Sequence, residues 1–128
     1  MDKIGPTDYG IEPEVLLEFI DESQEQLDKT INICIENEGK VLGAKAIDEI
    51  FRTVHAIKGN SAFLNLMKIK NLAHSLENLM NLVRMGNAHF KGEVADKIIS
   101  GIEMIQEMLG SVKAGKPESY DPDGLKKT

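Results

Sequence analysis

The stretch "HAIKGNS", residues 55–61, sets a histidine three positions before a lysine and four before a glycine. An imidazole offers a nucleophilic ring nitrogen near neutral pH. An ammonium at i+3 shares its helical face, and as a compact positive charge it suits an anionic group such as a phosphoryl. Helical side chains lean back toward the N-terminus, so any side chain at 59 would lean over the imidazole of His55; Gly59 leaves that space clear. Glycine in a helix interior costs about 0.5–1 kcal/mol relative to alanine. The stretch therefore gives up stability beside the histidine, which fits close approach by another molecule. Tight helix packing is the competing account of Gly59, and His55 or Lys58 taken singly reads as an ordinary surface residue.

A second stretch, "LAHSLENLM", places His74 and Glu77 at i and i+3, off the apolar stripe of Leu72, Leu76 and Leu79. Both are expected on an outer face, where an exposed polar pair adds little to stability. If the helices carrying His55 and Glu77 form an antiparallel hairpin turning near residues 64–67, the two residues lie at similar heights. A carboxylate accepting one imidazole N–H fixes the tautomer and makes the other ring nitrogen the better nucleophile. Such an arrangement is the chemistry of a phosphoaccepting histidine.

These residues have to be held by helices. Apolar residues recur at steps of three and four in four segments, with short breaker-containing links and no strand alternation. The first helix opens at Pro13, flanked by Glu12 and Glu14, and its stripe is Leu16, Phe19, Ile20, Ser23, Leu27, Ile31 and Ile35 before "ENEGK". The second runs from about Ala44 to about Leu64, with Ile47, Ile50, Phe51, Val54, Ile57 and Ser61 inward. This puts His55 at the rim of the stripe, exposed. The third begins near Met67 and presents Ile69, Leu72, Leu76, Leu79, Met80 and Val83, with Gly86 suited to a left-handed C-cap. The fourth uses Val94, Ile98, Ile99, Ile102, Ile105, Leu109 and Val112. The pattern predicts an all-α, antiparallel up-down four-helix bundle. Residues 1–12 read as an arm, 13–113 as the domain, and 114–128 as a linker or tail rich in Gly, Pro and charge.

Composition narrows the function. A chain of 128 residues fits one domain, and a net charge of −6 argues against a nucleic-acid binder, which needs a basic stripe. The single cysteine, Cys34, forms no internal disulfide and suits a reducing, cytoplasmic setting, as a small apolar residue on the first helix's stripe. No signal peptide or membrane span is legible, so a membrane partner is not expected.

"HAIKGNSAFLNL" followed by "LAHSLENLM" resembles the histidine phosphotransfer (HPt) domain, most closely the N-terminal phosphotransfer domain of chemotaxis histidine kinases of the CheA family. The H-x-x-K-G core is moderately specific; His74 and Glu77, nineteen and twenty-two residues after His55, match the CheA pattern, and general HPt domains usually lack a histidine at the first of these positions. The resemblance spans roughly Pro13 to Val112. It implies a bundle of four or five helices, with His55 phosphorylated, Glu77 orienting and activating it, Lys58 and His74 supporting the site, and Gly59 giving clearance. Where the family often reads "KGG", this chain has Asn60, which points away from the i+4 position and is expected to alter only the rim.

The resemblance further implies a phosphorelay. A kinase ATP-binding domain would transfer the γ-phosphoryl of ATP to the imidazole Nε2, and the group would pass to an aspartate of a response regulator receiver domain of the CheY or CheB type. The chain has no Walker A loop and no kinase motif, so it acts as substrate and carrier, with no cofactor of its own. Magnesium would belong to the partners. The Pro- and Gly-containing tail favours a domain of a larger CheA-like kinase over a stand-alone relay protein outside chemotaxis. A non-catalytic interaction bundle is the other alternative. A carboxylate-bridged di-metal bundle needs inward Glu-x-x-His pairs on two helices, and this sequence offers one pair in reverse order.

Overall fold

The computed structural model describes residues 12–118. All but the last residue of the expected arm, and the expected tail from residue 119 onward, lie outside the described residues. Four helices follow in order: α1 (Pro13–Glu36), α2 (Ala44–Phe63), α3 (Met67–Arg84) and α4 (Gly92–Lys113). Each packs against its neighbours around a ring, α1 on α2, α2 on α3, α3 on α4 and α4 on α1. Polar pairs give the directions. Asp21 pairs with Lys113 and Asp28 with Gln106, while Asp48 pairs with Arg84 and Lys58 with Glu77, so residue numbers rise on one helix as they fall on the next. The bundle is up-down and antiparallel, as the periodicity predicts.

Local chemistry sets the helix ends. Pro13 opens α1 with Glu14 in the first turn, where a fixed φ and a negative charge suit the unpaired N–H groups. α2 stops at a Schellman turn: Leu66 N–H donates to the Ser61 carbonyl at 2.8 Å and Asn65 N–H to the Ala62 carbonyl at 3.1 Å. Asn65 takes the left-handed conformation at φ 62°, which asparagine tolerates best among non-glycine residues. Gly86 does the same after α3, at φ 82°. Leu64 and Leu66 turn inward from the first of these turns and lock the α2–α3 hairpin onto the core.

The core runs the length of the bundle. Leu16, Ile20 and Leu27 of α1 meet Ile50 and Val54 of α2, Ile69 and Met80 of α3, and Ile98, Ile102, Ile105 and Leu109 of α4, all without solvent exposure. Each such side chain contributes about 1.5–3 kcal/mol relative to leaving it in water. The expected stripes need adjusting on all four helices: on α4, Val94 and Ile99 are half-buried, and Gly101 and Met108 take inward places. On α1 the buried positions after Leu27 are Thr30 and Cys34, whereas Ile31 is half-buried and Ile35 is 57% exposed. Two successive steps of four residues drift about 80° round a helix, and the step of three to Thr30 returns the stripe to the core. On α2, Ile47 and Phe51 sit at the edge, half-buried. On α3, Leu72 and Leu79 are also half-buried, and Ala73 and Glu77 take the inward places.

One glycine is a close-approach point. A Cβ at Gly101 of α4 would stand 2.5 Å from Leu76 Cδ2 of α3, so any side chain at 101 requires the packed Leu76 side chain to shift. Cys34 is buried as expected, and burial pushes its thiol up to about 11.

Candidate functional site

The α2–α3 hairpin brings the two singled-out stretches face to face. His55 Nδ1–H donates to Glu77 Oε2, and Lys58 Nζ donates to Glu77 Oε1 at 2.6 Å. An ionised carboxylate only accepts, so this contact puts the ring proton on Nδ1 and the lone pair on Nε2. The His55 side chain is 61% exposed, and Nε2 has no hydrogen-bond partner among the described residues. Lys58 is more covered, at 27% exposure of its side chain.

Glu77 departs from expectation. It is only 8% exposed, on the inward side of α3 beside Leu76 and Met80, and not on an outer face. A buried carboxylate is costly unless paired and hydrogen-bonded. Here both oxygens are satisfied by donors from α2, three residues apart and therefore on one face. Burial works to raise the Glu77 pKa, but the hydrogen bonds from Lys58 and His55, together with their charges, outweigh it and hold the carboxyl below its ordinary value. The site thus keeps a negative charge under the imidazole through the neutral range.

His74 stands apart from this triad. It is exposed, and among the described residues no hydrogen bond or ion pair joins it to His55, Lys58 or Glu77. The i, i+3 relation to Glu77 holds in sequence, yet the Glu77 carboxylate points to α2. Gly59 is exposed on the same helix face as His55, and a Cβ built there meets nothing within 4 Å. Tight helix packing is therefore not its reason. Asn60 is exposed and lines a shallow groove between α1 and α2 with Phe19, Ser23 and Ala56.

Two residues beside the site were not singled out from the sequence. Phe51, one turn before His55, stacks near-parallel to the imidazole with ring centroids 6.0 Å apart and planes 10° apart. Arg84 of α3 lies over the same phenyl ring, its Cζ 4.0 Å from the centroid. The i, i+4 spacing of Phe51 and His55 was the available signal; the apolar stripe absorbed it.

A bundle with a solvent-facing histidine, its Nδ1 held by a buried carboxylate from the next helix, is the arrangement of a histidine phosphotransfer domain. The Hpt domain family profile matches residues 14–115, and the chain belongs to that family, whose members act in two-component signalling. It is 33% identical over 106 residues to the chemotaxis protein CheA of Halobacterium salinarum, covering 83% of this chain and 16% of that protein. Chemotaxis protein CheA of Borreliella burgdorferi is 31% identical over 113 residues, 88% of this chain and 13% of that protein. The CheA of Treponema pallidum is 28% identical over 112 residues, 88% of this chain and 14% of that protein. The chain spans about one-sixth or less of the length of these relatives. No helix among the described residues is long and apolar enough to cross a membrane.

Proposed function

We propose that His55 is the phosphoaccepting residue of a CheA-type phosphorelay. The observation that carries this reading is the hydrogen bond from His55 Nδ1–H to buried Glu77, which aims an unpaired Nε2 at solvent. In the first half-reaction the Nε2 lone pair attacks the γ-phosphorus of ATP held by a kinase domain. The N–P bond forms as the bond from phosphorus to the bridging oxygen breaks, and ADP leaves with that electron pair. The ring now carries a positive charge with its proton still on Nδ1, and the Glu77 carboxylate stabilises that charge as it develops. In the second half-reaction an aspartate oxygen of a receiver domain, of the CheY or CheB type, attacks phosphorus. The N–P bond breaks and the electron pair returns to Nε2, restoring the neutral imidazole.

Lys58 keeps Glu77 ionised and in place, and its ammonium offsets part of the phosphoryl charge. His74, which the resemblance offers as a supporting polar neighbour, is exposed and makes no hydrogen bond or ion pair with the triad among the described residues. Gly59 gives clearance for in-line approach at Nε2. The test is incubation with a CheA-type kinase domain and labelled ATP. The chain should take up one acid-labile, alkali-stable phosphoryl group, and His55→Gln should fold normally and take up none. Undiminished labelling of that variant would sink the assignment.

A further inference from the structure

The hydrogen bond to Glu77 fixes one atom of the His55 ring, and one fixed atom does not fix a plane. The ring can still tilt about the line through Nδ1 and the carboxylate oxygen. The tilt matters because the reacting lone pair lies in the ring plane, so any tilt swings it off the line to phosphorus. A second constraint is present. The Phe51 ring lies nearly parallel to the imidazole, 10° between planes and 6.0 Å between centroids, within the range of offset aromatic pairs.

We propose that Phe51 is a positioning residue that sets the plane of the reacting imidazole, and that Arg84 holds Phe51 for this purpose. This rests on the phosphotransfer reading of His55. Phe51 is only half-buried, so the core alone does not pin its ring. The Arg84 guanidinium, 4.0 Å from the phenyl centroid, covers it from α3. Asp48 in turn holds Arg84 at 3.8 Å, and Arg52 reaches the other oxygen of Asp48 at 2.9 Å. The order Asp48, Arg84, Phe51, His55 is a line of contacts climbing two turns of α2. Arg84 pairs at the level of Asp48, seven residues and about 10 Å along the helix from His55. Its contact with the site runs through Phe51.

The experiment measures phosphorylation by a CheA-type kinase domain over a range of concentrations of this chain. It adds phosphoramidate as a small chemical donor that needs no docking, and NMR of the His55 ring in the unphosphorylated protein. Phe51→Leu keeps apolar bulk and removes the flat ring; Phe51→Tyr keeps the ring. Phe51→Leu should lower kcat about tenfold with KM within about twofold, slow the phosphoramidate reaction in parallel, and move the His55 ring resonances. Phe51→Tyr should restore all three. Arg84→Gln, at a half-exposed surface position, should give a smaller loss in the same sense, and adding it to Phe51→Leu should cost nothing further. Wild-type kcat in Phe51→Leu, equal losses in the Leu and Tyr variants, or full additivity with Arg84→Gln would overturn the positioning role. Should Phe51→Leu fail to fold, unchanged kcat and ring resonances in Arg84→Gln would overturn it alone. A wild-type chain labelled by neither donor would instead sink the phosphotransfer reading on which it rests.

Discussion

Lys58 Nζ and Glu77 Oε1 stand 2.6 Å apart, which occupies one carboxylate oxygen and leaves the other to His55. The lysine therefore decides how the carboxylate faces the imidazole. It is as much a part of the orienting device as Glu77.

Glu77→Gln should slow phosphorylation of His55 about 10- to 100-fold, since a hydrogen bond to a charged group contributes about 1.5–3 kcal/mol. The amide offers one acceptor oxygen where the carboxylate offered two, so Lys58 and His55 compete for it. Burial also gives Glu77 a structural share that an exposed residue would lack. Glu77→Ala should lower stability by about 1–2 kcal/mol, measurable as a lower thermal midpoint. The cost stays modest because both α2 partners are partly exposed and can turn to water.

Acid should loosen the same contact. The folded Glu77 pKa lies below its ordinary value, so its contribution is present above the unfolded carboxylate pKa, about 4.3, and is lost as pH falls through the lower folded value. The stability difference between the wild type and Glu77→Gln, followed by denaturant titration, should shrink as pH falls from about 4.3 through the lower folded value. A difference that grows over that interval would contradict the sign.

Gly59→Ala should raise stability by as much as about 1 kcal/mol, because the helix gains an alanine and the new Cβ meets open space. Phosphoryl transfer should nevertheless slow, and slow further in Gly59→Leu, as the side chain leans over Nε2. Parallel measurement of thermal midpoints and transfer rates checks the opposed signs. A Leu variant with normal transfer would remove the clearance role.

Gly101→Ala should do the reverse for stability. The added Cβ, 2.5 Å from Leu76 Cδ2, forces a packed leucine to move, at a cost of about 1–3 kcal/mol. Chemical denaturation of the two alanine variants side by side should show one midpoint above the wild type and the other below.

Much of this was legible in the sequence because helices repeat. The bundle, the hairpin turn and the meeting of His55 with Glu77 follow from counting residues on either side of Asn65. The burial of Glu77 does not follow, because a carboxylate enters the interior only where donors on another helix meet it, and that is a property of the pair. His74 shows the converse: spacing along one helix placed it beside Glu77, while the carboxylate turned to α2. Phe51 was legible as apolar, and its i, i+4 spacing placed it beside His55, but the Arg84 guanidinium over its ring comes from α3 and left no local signal. Gly101 carried no local signal, its constraint lying wholly in Leu76 across the helix interface.

Beyond the end of α4 the chain folds back, and Glu118 Oε1 accepts the Ile69 N–H at 2.7 Å. Ile69 is the third residue of α3, one of the amides that a helix start leaves unpaired, and α3 has neither a side-chain cap of its own nor an acidic residue in its first turn. The consequence is one of exchange with solvent. The Ile69 amide should trade its proton for deuterium slowly although it sits where helices fray, and a chain ending at residue 113 should exchange it fast while amides near Met80 keep their protection. The helix that carries Glu77 is thereby tied at its opening turn by a residue that the apolar periodicity leaves outside the bundle.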